Sequence, residues 1–81
     1  MSLITLDIPD TALTALRLSP QELAVEMRMS TAAHLYDQGT VSLHQAAEFA
    51  GIDEFAFRQR LGDYGISAFH LTKDELLAGE L

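Results

Sequence analysis

The sequence predicts a mainly α protein: an N-terminal β-strand, then a helical bundle containing a helix-turn-helix, then a short C-terminal strand and helix. Three observations predict it. Ser19, Ser42 and Thr72 are each followed three positions later by Glu22, Gln45 and Glu75, the reciprocal pairing that starts a helix. Between two short helical patterns stand Ala47, Gly51 and Ile52, a small residue, a hinge able to take positive φ, and an apolar plug. Residues 3–8, LITLDI, alternate with period two and carry β-branched side chains.

In chain order, residues 3–8 read as a half-buried strand ended by Pro9. Its hydrogen-bonding partner has to come from the far end of the chain or from a second copy, because a lone strand leaves its backbone unpaired. A short helix follows behind Asp10, over residues 10–17. The long helix begins at Ser19-Pro20-Gln21-Glu22, with serine at the cap and proline at the first helical position. It runs to about Gln38 and stops at Gly39. Its apolar residues, among them Leu23, Val25, Met27, Met29, Leu35 and Tyr36, cover more than one narrow stripe, which points to a subunit interface. Ser42 opens the next helix, LHQAAEFA, to Gly51; Asp53 caps EFAFRQRL, which ends near Gly62 or Gly65. Residues 66–71, ISAFHL, read as a short strand, and Thr72 and Glu75 start a brief terminal helix.

At 81 residues the chain is one domain, with a core only marginally sufficient alone. Without cysteine, neither a disulfide nor a thiolate metal site reinforces it, so a homodimer is the expected source of further burial. Residues 1–39 are the expected dimerisation part and 40–65 the helix-turn-helix. Twelve acids against five bases give a formal net charge of −7, which repels anionic surfaces at long range and suits a basic protein. No run approaches the roughly 20 apolar residues of a membrane helix. The start, MSLITLDIPD, has no basic region, so no leader and no membrane association are expected, and the cytoplasm is the default location.

Leu43 to Leu61 carries the functional signal. Ala46, Ala47 and Ala50 face inward on the first helix of the pair; Phe57 and Leu61 face inward on the second. This arrangement suits a crossing of about 90–120°. Asp53, Glu54, Phe55, Arg58 and Gln59 then point outward. In a recognition helix Arg58 can pair bidentately with guanine and Gln59 with adenine. Arg60, at the rim, can meet phosphate, as can Thr40, Ser42 and the free N–H groups that open the preceding helix. Phe55 is an outward aromatic that needs a partner: DNA, another protein or another subunit. Two helices joined by a tight glycine turn also occur in proteins that never touch DNA, so a protein-interaction module in which the motif is only a scaffold stands as the alternative.

Along these residues the chain resembles the small prokaryotic antitoxin-type helix-turn-helix proteins of uncharacterised protein family 0175. The likeness runs through Ile8-Pro9, Ser19-Pro20-Gln21-Glu22-Leu23-Ala24 with Glu26 and Arg28, Leu35-Tyr36, Gly39, Ser42-Leu43, Ala46-Ala47-Glu48, Ala50-Gly51 and Gly65-Ile66. The resemblance implies an antitoxin-type transcriptional regulator that dimerises, binds operator DNA and neutralises a cognate toxin. It implies a partner-binding tail over residues 66–81, with Phe69, Leu71, Leu76 and Leu77 as its apolar contacts. The sequence departs from the pattern where Glu54 stands in place of a base and Arg60 in place of an apolar residue.

No enzyme is expected. His34, His44 and His70 lie on separate elements without metal-ligand spacing, so no metal or cofactor is expected. The acids cluster at helix starts, where they favour the dipole. Ser19, Ser42 and Thr72 read as caps rather than nucleophiles.

Overall fold

The computed structural model describes residues 2–67. Within them the order is α1 (Asp10–Leu16), α2 (Pro20–Asp37), α3 (Leu43–Ala50), α4 (Glu54–Leu61) and a 3-10 turn over Gly62–Tyr64.

The helix starts follow the side-chain chemistry. Ser19 accepts from the Glu22 N–H at 3.1 Å while the Glu22 carboxylate accepts from the Ser19 N–H at 2.8 Å. Hydrogen bonding to the carboxyl from Ser19, its backbone N–H first and its side chain second, holds the Glu22 carboxyl below the usual 4.5. Ser42 and Gln45 repeat the arrangement at 3.1 and 2.9 Å. Asp53 accepts from the Ala56 N–H at 2.7 Å and starts α4. At α1 the cap position falls on Pro9 rather than Asp10, with no side-chain cap; Asp10 is the first helical residue.

The helix ends share one closure. Gly39, Gly51 and Gly65 each sit at positive φ, and the next N–H reaches back five residues: Thr40 to the Leu35 carbonyl, Ile52 to Ala47, Ile66 to Leu61, at 3.0–3.1 Å. This is the glycine-closed helix end, and it satisfies carbonyls that a helix terminus otherwise leaves unpaired. α1 closes the same way, from the Leu18 N–H to the Leu13 carbonyl, but with Arg17 at φ 59. A side chain in that region costs about 1–2 kcal/mol. No residue of α1 is buried.

The expected N-terminal strand is not formed: residues 2–9 are irregular, and there is no strand among the described residues. Alternation sorts side chains onto two faces, but a ladder needs a neighbour to receive its N–H and C=O groups. No segment of 2–67 supplies one. Leu3 and Leu6, which fall on opposite faces of the alternation, are both exposed, so neither face is covered. At the other end, Ile66 and Ser67 are irregular. The remainder of the expected 66–71 strand, the Thr72–Glu75 cap, the terminal helix and the tail residues Phe69, Leu71, Leu76 and Leu77 lie outside the described residues.

The core sits where α2, α3 and α4 meet. α2 contributes Met29, Ala32, Ala33 and Tyr36, spaced i, i+3, i+4, i+7 on one face. α3 contributes Ala46, Ala47 and Ala50; α4 contributes Phe57 and Leu61. Val41, Leu43, Ile52, Tyr64 and Ile66 close its edges. Tyr36 and Phe57 meet edge to face with ring centroids 6.0 Å apart. The wide apolar surface of α2 divides: Leu23 and the core face are buried, whereas Val25 stays exposed. No helix among the described residues is long and apolar enough to cross a membrane.

Two expectations follow. Phe57 is 0% exposed and Phe55, two positions earlier on the same helix, is 68% exposed. Phe57→Ala should therefore lose about 3–5 kcal/mol in urea unfolding followed by circular dichroism. Phe55→Ala should change it by less than about 0.5 kcal/mol. Equal losses would contradict the packing described. The second concerns pH. Because the folded Glu22 carboxyl lies below its unfolded value, the stability it adds is present above that unfolded value and disappears as pH falls through the folded one. Denaturation of the wild type and of Glu22→Gln should differ at neutral pH and converge in acid.

Candidate nucleic-acid interface

α3, the Gly51-Ile52-Asp53 turn and α4 form a helix-turn-helix laid against α2. The turn is built as its composition requires. Gly51 has φ 81 and ψ 24; its N–H reaches the Ala47 and Glu48 carbonyls at 2.9 and 3.1 Å. Ile52 is half-buried against the core. Ala47, 2% exposed, brings the first helix of the pair close to its neighbours.

On α4 this leaves Phe55, Arg58 and Gln59 exposed. Arg58 has no ion-pair partner among the described residues. Arg60 is placed differently. Its Nε lies 3.3 Å from an Asp63 carboxylate oxygen, and its Nη2 lies 3.9 Å from Glu26. The guanidinium is thus drawn along its own helix end and towards α2, away from the Arg58 face. Thr40 is exposed ahead of α3, while the Ser42 hydroxyl is occupied as the cap of that helix. That capping bond uses an oxygen lone pair and leaves the O–H to donate, so phosphate near Ser42 can meet the hydroxyl as well as backbone N–H groups.

Sequence reasoning missed three contacts. His44 Nδ1 lies 3.0 Å from Glu54, joining the beginnings of α3 and α4 across the outward face. A shallow hollow of about 240 Å³ lies beside this pair, lined by His44, Ala47, Glu48, Ile52, Asp53 and Glu54. Its rim is acidic, so the start of α4 presents negative charge. Glu26 accepts from the Tyr64 hydroxyl at 2.7 Å, tying α2 to the 3-10 turn. Arg28 Nε donates to the Phe49 carbonyl at 2.9 Å. Its guanidinium lies over Gly51, where a Cβ would meet it at 3.3–3.4 Å. These partners are 10 to 38 residues apart in sequence, and neither periodicity nor capping rules reach so far. The one available signal was the recurrence of Glu26 and Arg28 in the family resemblance.

Among the described residues no group of three His, Cys, Asp or Glu side chains could hold a metal ion. Neither His34 nor His44 is buried; His70 lies outside the described residues.

Comparison with known proteins places the chain. A UPF0175 protein of Aeropyrum pernix is 34% identical over 73 residues, 90% of this chain and 76% of the relative. A UPF0175 protein of Halobacterium salinarum is 49% identical over 41 residues, 51% of this chain and 42% of the relative. No solved structure matches. The family model of the uncharacterised protein family UPF0175 matches residues 1–78, nearly the full length, and the chain belongs to that family.

Proposed function

We propose that this chain is an antitoxin-type transcriptional regulator of the cytoplasm that dimerises, binds operator DNA through α3 and α4, and neutralises a cognate toxin. The observation that carries the DNA-binding part is the outward face of α4. Phe55, Arg58 and Gln59 stand exposed on the second helix of a glycine-hinged pair, and Arg58 lacks an ion-pair partner among the described residues. Guanidinium and carboxamide are the groups that read guanine and adenine in the major groove. The toxin-neutralising part rests on the family resemblance. The net charge of −7 suits a basic protein partner.

Dimerisation is supported by where the uncovered apolar surface lies. Among the described residues, five of the seven exposed large hydrophobic ones, Leu3, Ile4, Leu6, Leu16 and Val25, fall in the first third of the chain. Of the described residues there, only Leu23 is buried. A second copy that covers this surface would relate two α4 helices by a two-fold axis, as paired half-sites require.

A second reading, the protein-interaction module, is favoured by one observation. Asp53 and Glu54 head α4, and Arg60 is held by Asp63 and Glu26, so the helix offers one unpaired cation among the described residues. Gel-shift titration on the DNA upstream of the reading frame, at two salt concentrations, separates the readings. Operator binding should weaken steeply with salt. Arg58→Ala should weaken it by about 10–100-fold, the equivalent of about 1–3 kcal/mol for a base contact. Absence of any salt-sensitive complex, with and without the partner protein, would leave the second reading standing. Light scattering at micromolar concentration should give the mass of a dimer, and Val25→Glu should shift it to the monomer; a monomeric wild type would end the dimer proposal.

A further inference from the structure

We propose that Arg28 is the positioning residue of the helix-turn-helix: its guanidinium locks the α3–α4 turn to α2 and thereby sets the direction of the exposed α4 face. This rests on the reading of that face as the binding surface.

Three observations meet at Arg28. Its Nε donates to the Phe49 carbonyl, one of the last in α3, at 2.9 Å. The last carbonyls of a helix lack intrahelical donors and carry the negative end of its dipole, so a cation there is favoured twice, by hydrogen bond and by charge. The guanidinium plane also lies over Gly51, with three of its atoms 3.3–3.4 Å from where a Cβ would stand. Gly51 at φ 81 is where the chain changes direction between the two helices. A rigid planar group on that hinge restricts the angle at which α4 leaves it.

The opposite end of α4 has its own tie to the same stretch of α2. Glu26 accepts from the Tyr64 hydroxyl at 2.7 Å and lies 3.9 Å from Arg60. Arg28 fixes the approach to α4 and Glu26 fixes its exit. Two attachments, one at each end, define the tilt of a helix that is only eight residues long. The apolar docking of Phe57 and Leu61 holds α4 down but leaves that tilt to the polar ties, because burial is non-directional.

Lysine is not equivalent here. An ammonium can reach one carbonyl but cannot lie as a plane across the glycine. Arg28 is therefore expected to act through geometry, not as a phosphate contact of its own.

The test compares wild type, Arg28→Ala and Arg28→Lys, checked for equal helix content by circular dichroism. Native-state amide exchange at Gly51 and Ile52, whose N–H groups bond the Ala47 carbonyl, should become about tenfold faster in Arg28→Ala, with smaller change at Ala33 and Tyr36. The Kd for a duplex of the upstream DNA should rise by about tenfold, with the slope of log K against log salt unchanged; Arg28→Lys should fall between, and serves if Arg28→Ala does not fold. A slope lower by about 0.9 would make Arg28 a phosphate contact and overturn the proposal. So would unchanged exchange at Gly51 and Ile52 in both variants. If wild type binds no DNA, the functional reading fails by itself, and the exchange measurement still decides whether Arg28 holds the turn.

Discussion

The structure depends on how closely α2 and α3 can approach. The core contains five alanines, Ala32 and Ala33 on α2 and Ala46, Ala47 and Ala50 on α3, each at most 9% exposed. Side chains this short let two helix axes come near the lower end of the usual 8–10 Å separation. Larger residues at these positions would force the helices apart and leave Phe57 without the pocket it fills. Phe57 and Met29, the largest fully buried side chains together with Leu61, occupy the space that the alanines leave. Shape rather than the quantity of apolar surface decides the arrangement, since volume changes of a single methylene are felt in a core packed this densely. The α3–α4 crossing is then a consequence. α4 has to leave Gly51 at an angle that brings Phe57 and Leu61 back over the alanine floor.

Much of this was legible in the sequence, and the reason is locality. Ser19 and Glu22, Ser42 and Gln45, Asp53 and Ala56 each interact across three residues, a distance fixed by helix geometry whatever the rest of the fold does. Gly39, Gly51 and Gly65 mark chain reversals because positive φ is cheap only for glycine. The inward setting of Ala46, Ala47, Ala50, Phe57 and Leu61 follows from the same period of 3.6. The strand over residues 3–8 failed for the complementary reason. Its alternation is real, but strand formation is decided by a neighbour, and residue order says nothing about whether one exists. The outward face of α4 was read well at Phe55, Arg58 and Gln59. At Arg60 helical position alone could not foresee that Asp63 and Glu26 would draw its guanidinium towards α2.

The polar ties explain why Glu26 and Arg28 belong with the fold and not merely with the solvated face of α2. They are two residues apart and so point in different directions around the helix. That divergence is what lets one α2 segment reach both the turn before α4 and the turn after it. The Arg28 bond is exposed and the Glu26–Tyr64 bond part-buried, and a single hydrogen bond of either kind adds only about 0.5–1.5 kcal/mol. Their contribution is orientational. A short helix seated on two apolar residues retains freedom to roll and tilt, and hydrogen bonds of defined length remove it.

Charge gives the molecule its last constraint. Four arginines fall within residues 2–67. Arg28 is drawn to the end of α3, Arg60 to Asp63 and Glu26, and Arg17 sits in the left-handed turn that closes α1. Two of the four guanidinium groups thus serve internal geometry, while Glu48, Asp53 and Glu54 line the hollow at the start of α4. At distances beyond a Debye length the chain presents its excess of acids, which attracts a basic protein and slows the approach of a polyanion. At contact distance the balance changes, because Arg58 is exposed with no ion-pair partner among the described residues and screening no longer intervenes. An anionic partner of this surface would therefore have to be recognised by fit at short range, and a second copy, by presenting a second Arg58, would strengthen that fit without removing the long-range penalty. A basic protein bound elsewhere on the chain would lift the penalty directly, by neutralising part of the −7 before the anion arrives.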